Sequence, residues 1–379
     1  MKKIGIMSMQ RIYNYGSFLQ AYGLKKLIEG LDSENEVSFI DYKPGKPLIY
    51  SENEKDTPVK RIFKKLKEYN NVDASLINKF RFFNHKRTYS NRFFPILGVT
   101  TYRNEDTSDL DYLVIGSDEV FNCVQSNTNV GYSRDLFGYN TSAKKVISYA
   151  GSFGNTTLEK IEKYGLKKEL TVDFSKFDRV SVRDGNSIEI VKSLGVEKPI
   201  LSIDPALAFD YMTEEPMIPK ERLFKEKYMI VYGYSGRLTK EENETLSNYA
   251  ATNQLKILCF GGVQGCCDKF IDCTPFELLA YFRDAEAIVT DTFHGTIFSI
   301  INKKPFATII RKSSGDSYGN EEKLGFLLEL FDLSSQKIEK LDRDSISESL
   351  SMKIEYDKVF LELEKRRKES REYLRQSIK

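Results

Sequence analysis

Short apolar runs that each stop at a polar or glycine-bearing turn recur along the chain, and this punctuation constrains the fold more than any other property. Lys2–Met9 runs into Tyr13-Asn14-Tyr15-Gly16-Ser17, after which apolar residues fall at helical spacing from Phe18 to Ile28. Glu36–Tyr42 follows as a second extended run, so the opening reads as a βαβ unit with a right-handed crossover. Tyr112–Ile115 stops at Gly116-Ser117-Asp118-Glu119, and Val146–Tyr149 stops at Ala150-Gly151-Ser152. Arg179–Val182 stops at Arg183-Asp184, and Ile200–Ile203 at Asp204-Pro205. Strands alternating with helical stretches in this way predict a parallel α/β sheet for the first half.

Between Pro216 and Lys227 the sequence turns polar and proline-punctuated, as interdomain connections do. Beyond it the pattern restarts. Tyr228–Tyr232 leads to Gly233-Tyr234-Ser235-Gly236-Arg237 and a helix from about Thr239, Lys256–Phe260 leads to Gly261-Gly262, and Ala287–Thr290 leads to Asp291-Thr292-Phe293-His294-Gly295. Pro305–Ile310 supplies another strand, and from Ser345 onward the charged, amphipathic sequence reads as one long terminal helix. A length of 379 residues, at ~100–200 per domain, suits two domains. The expected fold class is therefore α/β, in two halves whose strand ends point toward a shared cleft. The first covers residues 1–215 with a basic helical insertion at about 51–108; the second covers 216–379 and includes the terminal helix.

Charge excludes some functions and localises others. The chain carries 57 Lys+Arg against 55 Asp+Glu, a net +2 that does not suit a global nucleic-acid binder. Pro58–Arg103 departs from this balance, with eleven basic residues against Glu68 and Asp73, and it is rich in phenylalanine. A solvated basic face is the preferred account; a basic amphipathic helix pair in peripheral contact with a membrane is the alternative. No apolar run approaches the ~20 residues of a membrane helix and the first residues are too few for a signal-peptide core, so a cytoplasmic chain is expected, with a peripheral place at the inner membrane face as the alternative. Five cysteines, Cys123, Cys259, Cys266, Cys267 and Cys273, form no C-x-x-C pair and no usual zinc spacing. They are expected to be free thiols, and with only His85 and His294 to add, no metal centre is expected.

Ligands of open α/β sheets bind outside the carboxyl ends of the strands, so the polar turns are where chemistry belongs. His294 stands at a strand-to-helix junction, where an imidazole can exchange protons near pH 7 and backbone N–H groups can hold an anion. Thr292 or Asp291 could equally be a plain helix cap with His294 facing solvent. Arg183, just past an apolar run, could clamp a carboxylate or phosphate bidentately, or simply pair with Asp184. Arg237 follows a glycine-bearing turn and could meet a phosphate or lie on the surface. Asn14, Gly16, Ser17, Ser117 and Asp118 line two further strand-end turns. There is no G-x-G-x-x-G after the first run, no G-x-x-x-x-G-K-[ST] and no H-E-x-x-H. The string Gly315-Asp316-Ser317-Tyr318-Gly319 has no histidine after it and reads as a loop, not a hydrolase elbow.

Taken in order, six segments resemble the polysaccharide pyruvyl transferase family: Asn14-Tyr15-Gly16-Ser17-Phe18-Leu19-Gln20-Ala21-Tyr22, Gly116-Ser117-Asp118-Glu119-Val120-Phe121-Asn122, Ser148-Tyr149-Ala150-Gly151-Ser152-Phe153-Gly154, Ser181-Val182-Arg183-Asp184, Asp204-Pro205-Ala206-Leu207 and Thr290-Asp291-Thr292-Phe293-His294-Gly295-Thr296. The resemblance extends from about residue 3 to about 333 and leaves out the terminal helix. It implies a GT-B-like fold, two Rossmann-like domains facing a cleft, and transfer of pyruvate from phosphoenolpyruvate onto a saccharide as a ketal, in cell-surface polysaccharide biosynthesis, with no further cofactor. It also implies that Arg183 binds the donor and that His294 is the general acid or base; Thr292 and Gly295, in the histidine turn, and Arg237, by its position after a strand and not from the resemblance, are expected beside them on the donor. Asn14, Gly16, Ser17, Ser117 and Asp118 are expected toward the acceptor, which can be lipid-linked.

One departure stands out. Some family members have an arginine two positions before the histidine, where this chain has Thr292, so a second donor-binding cation must come from elsewhere, Arg237 or Arg311 by position. Two other functions remain open on the same frame: a nucleotide-sugar glycosyltransferase, and a glycan-binding protein without catalysis.

Overall fold

A computed structural model describes residues 1–49, 72–312 and 320–379. Part of the expected insertion, 50–71, and the loop string at 315–319 lie outside the described residues. The chain divides into two compact units, neither of them continuous in sequence. Unit 1 comprises Met1–Ser51, Ser90–Asp210 and Leu361–Lys379; unit 2 comprises Glu52–Tyr89 and Tyr211–Phe360.

Unit 1 is built on a six-stranded parallel sheet. Its strands are β1 (Lys3–Met7), β2 (Glu36–Phe39), β3 (Tyr112–Asp118), β4 (Lys145–Gly151), β5 (Ser181–Val182) and β6 (Ile200–Leu201), in the order β2-β1-β3-β4-β5-β6. The central strands are apolar on both faces because helices cover both, as parallel sheets require. Helix α1 (Tyr15–Glu29) starts where Asn14, in extended conformation, accepts a hydrogen bond from the Ser17 N–H at 2.7 Å. Phe121, Phe137, Phe153 and Phe174 pack together in the core, with Phe121 within 5.4 Å, centroid to centroid, of each of the other three. The last residues of the chain also belong here. The Tyr373 hydroxyl donates to the Ser148 carbonyl at 2.8 Å, and Arg367 Nε donates to the Leu207 carbonyl at 2.9 Å.

Unit 2 has a second six-stranded parallel sheet: β7 (Tyr228–Tyr232), β8 (Lys256–Phe260), β9 (Lys269–Phe270), β10 (Ala287–Thr290), β11 (Phe306–Ile309) and β12 (Lys337–Ile338), ordered β12-β11-β10-β7-β8-β9. Counted from β7 as one, this is the 3-2-1-4-5-6 order of the doubly wound nucleotide fold. Helix α2 (Leu76–Leu97) begins in this unit. Asn78 ties it to the sheet edge: its Oδ1 accepts from the Phe270 N–H at 3.0 Å, and its Nδ2 donates to the Cys267 and Asp268 carbonyls. His85 Nδ1 meets Asp272 Oδ1 at 2.8 Å two turns further along the helix.

The single long terminal helix expected from Ser345 is two helices, α3 (Arg343–Ser351) and α4 (Tyr356–Ser377). The break falls after a serine-rich turn in which Ser351 Oγ donates to the Glu348 carbonyl and Met352 turns extended, at φ −65° and ψ 128°. No described helix is long and apolar enough to cross a membrane.

Candidate functional site

Each sheet has one place where strand order reverses direction, leaving a crevice between two diverging loops at the carboxyl ends of adjacent strands. In unit 1 it falls between β1 and β3, and in unit 2 between β7 and β10. The sequence-derived candidates gather at these two places.

At the unit 1 crevice, α1 follows β1 and presents Ser17, whose Oγ donates to Asp118 Oδ2 at 2.8 Å across from the end of β3. Asp118 has a φ of 69° and its other oxygen accepts from Arg183 Nη2 at 3.2 Å. Arg183 Nη1 donates to Asp204. The guanidinium is therefore held between two carboxylates, not by its chain neighbour Asp184, which instead caps the following helix by accepting from the Ser187 N–H at 2.7 Å. Burial opposes the Arg183 charge, but Asp204 first and then Asp118, Glu119 and Asp184 outweigh it and raise the pKa. Ser117 is fully buried, and its Oγ donates to the Ala150 carbonyl at 2.7 Å. Its hydroxyl thus ties the end of β3 to β4, while Gly16 is buried in the first turn of α1.

At the unit 2 crevice, Thr290 ends β10 and donates from Oγ1 to the Tyr232 carbonyl of β7 at 2.8 Å, which stitches the two diverging strands together. Helix α5 (Phe293–Ile301) begins three residues later. Thr292 is its cap, with Oγ1 accepting from the Gly295 N–H at 3.0 Å. Glycine is needed at 295, because a Cβ there would lie 2.2 Å from Thr290 Oγ1 and 2.7 Å from Thr292 Oγ1. His294 sits in the first turn, half-buried, its ring 5.6 Å from that of Phe293 and 6.1 Å from that of Phe298. The capping and imidazole readings are thus compatible: Thr292 caps, and the histidine stands at the positive end of the helix dipole.

Two arginines reach this region, both held by carboxylates. Arg237, in the loop after β7, donates from Nη1 to Asp291 Oδ2 at 3.3 Å and stacks 4.4 Å above the Tyr234 ring. Arg311 makes a bidentate pair with Glu242, at 2.7 and 2.9 Å. Asp291 is buried, and among the described residues no donor reaches its Oδ1. Burial pushes its carboxyl above the ordinary range, against the pull of Arg237 and Arg311. Sequence reasoning missed Asn320, whose Nδ2 donates to the carbonyls of Asp291 and Ile309 and whose Oδ1 accepts from the Arg311 N–H. It had no signal, since it follows a polar loop and lies in no periodic run. Among the described residues no three His, Cys, Asp or Glu side chains group to hold a metal ion.

The family model described as polysaccharide pyruvyl transferase matches residues 14–313. No curated protein matches the sequence. Among solved structures, a protein described as a UDP-N-acetylglucosamine 2-epimerase from Listeria monocytogenes is 9% identical, with a TM-score of 0.50 over 94% of this chain and 90% of its own. A UDP-GlcNAc 2-epimerase from Methanocaldococcus jannaschii is 9% identical, with a TM-score of 0.49 over 93% of this chain and 92% of its own. At such identities the Listeria likeness is one of fold: an α/β chain with two Rossmann-like units, GT-B-like as expected.

Proposed function

The chain belongs to the polysaccharide pyruvyl transferase family, and from that premise we propose that it moves a pyruvyl group from phosphoenolpyruvate onto two hydroxyls of a saccharide, closing a ketal and releasing phosphate. In this reaction C3 of the enol takes a proton, C2 becomes electrophilic, one hydroxyl adds and phosphate departs. A second hydroxyl then adds to C2, and both hydroxyl protons are lost.

The observation that carries the reading is the unit 2 crevice, where a helix N-terminus bearing the His294 imidazole follows β10 and the Arg237 guanidinium, from the loop after β7, pairs with Asp291 of that same turn. Phosphoenolpyruvate is a small dianion or trianion, and backbone N–H groups at a helix start favour such charge. Arg237 supplies from β7 the cation that the motif itself lacks at Thr292. His294 is the group able to give a proton to C3 or take one from a hydroxyl. At the unit 1 crevice an anion can reach Arg183 by displacing Asp118 from Nη2, after which Asp118 remains held by Ser17.

Incubating the purified chain with phosphoenolpyruvate and a panel of cell-surface glycans tests this. Phosphate release that needs both partners, with a glycan mass gain of one ketal-linked pyruvate, is the expected result. Thermal stabilisation by a nucleoside diphosphate but not by phosphoenolpyruvate, without phosphate release, replaces the reading with nucleotide-sugar transfer. Glycan binding with no turnover of either donor leaves a non-catalytic relative.

A further inference from the structure

Over Leu76–Tyr89, helix α2 buries one narrow stripe, formed by Asn78, Phe82, His85 and Tyr89, and turns its opposite side to solvent; further along, Phe93, Phe94 and Leu97 are buried as well. On that outer side Leu76, Ile77, Phe80 and Phe83 are 81%, 65%, 71% and 53% exposed. Spacings of three and four residues align Leu76, Phe80 and Phe83 as one ridge, with Ile77 at its flank. Single exposed apolar side chains are ordinary on a protein surface; four within two turns of one helix are a patch.

Apart from Asp73, just ahead of its first turn, the charge along this helix is of one sign. Leu76–Leu97 carries Lys79, Arg81, Lys86, Arg87 and Arg92 and no carboxylate. At about 100° per residue, Lys79 and Lys86 lie to one side of the ridge and Arg81 to the other. Their long stems allow the charged ends to rise while the aromatic rings sink, the arrangement of an interfacial helix. We propose that this face of α2 docks on an anionic lipid bilayer, with Leu76, Ile77, Phe80 and Phe83 at the acyl boundary and the cations at phosphate level. A second copy of the chain is a poorer occupant, because two-fold pairing of this helix would oppose like charges with no carboxylate on it to meet them. The face is independent of the chemistry at either crevice.

Flotation of the full chain with vesicles tests it. At low salt the protein is expected to float with phosphatidylglycerol/phosphatidylcholine vesicles and to stay at the bottom with phosphatidylcholine alone. Phe80→Ser with Phe83→Ser should lower the partition coefficient about tenfold or more while circular dichroism and melting midpoint stay unchanged, since both rings are already in solvent. Leu361→Ser, which alters a 77% exposed leucine on α4, should float like the parent. The proposal fails if the parent does not float with anionic vesicles at low salt, if the double variant floats equally well, or if Leu361→Ser is as damaging. A parent dimer that the double variant dissociates, with no flotation of either, would instead make the ridge an interface between copies.

Discussion

Arg183 and Asp204, twenty-one residues apart in the chain, form an ion pair whose side chains are 2% and 0% exposed. Asp118 shares the same guanidinium, so removing the cation strands two carboxylates in the crevice of unit 1. Arg183→Leu is expected to lower the unfolding free energy by ~3–5 kcal/mol, read from urea denaturation. Adding Asp204→Leu should restore part of it. A single variant that melts with the parent would show that the pair has no energetic role.

His294 is half-buried between two phenylalanine rings, and its loss leaves the Thr292 cap in place. His294→Gln should keep the circular dichroism spectrum and reduce phosphate release by ~10²–10⁴-fold. Undiminished turnover would remove the imidazole from the reaction.

Asp291 has its carboxyl pushed up by burial, so the folded state binds a proton more readily than the unfolded one. The sign follows: the ionised form costs stability above the raised pKa, and the cost disappears as pH falls toward the ordinary value of 3.8. Asp291→Asn should therefore gain stability relative to the parent at neutral pH and lose that advantage on acidification. Denaturation curves across the acid range check this, and a difference that does not change with pH would contradict it.

Gly295→Ala drives a methyl group against Thr290 Oγ1 and Thr292 Oγ1, both committed to hydrogen bonds. A loss of ~1–3 kcal/mol is expected from overpacking, visible as a lower melting midpoint. A midpoint equal to the parent's would mean that the loop yields.

Four of the five cysteines are buried and Cys267 is half-exposed. Burial pushes the Cys123 thiol up to about 12, which leaves little thiolate at pH 8. Ellman titration of the native chain should show one fast thiol, and Cys267→Ser should abolish the fast phase.

The fold was readable wherever an apolar run is uninterrupted. Tyr228–Tyr232, Lys256–Phe260 and Ala287–Thr290 coincide with β7, β8 and β10 because each is a central strand buried along nearly its whole length. β9 and β12 have two residues each, and unlike the equally short β5 and β6 they do not sit in a longer apolar run that stops at a polar turn. Glu36–Tyr42 promised a longer strand than β2, which stops at Phe39; beyond it Arg11 claims the Asp41 carboxylate, donating from Nη2 at 2.7 Å. The site was readable as positions and not as chemistry. His294, Thr292, Arg183 and Arg237 stand at strand ends because the strand pattern puts them there. Which carboxylate holds each guanidinium depends on contacts between residues such as 183 and 204, or 237 and 291, that no local pattern encodes.

The interleaving of the two units along the chain has a genetic consequence. Leu361–Lys379, the last segment translated, is counted with the first, and Glu52–Tyr89 is lent to the second from within the territory of the other. No single cut in the gene releases either half intact: trimming either end takes residues from unit 1, and grafting out Tyr211–Phe360 alone leaves unit 2 without its earlier segment.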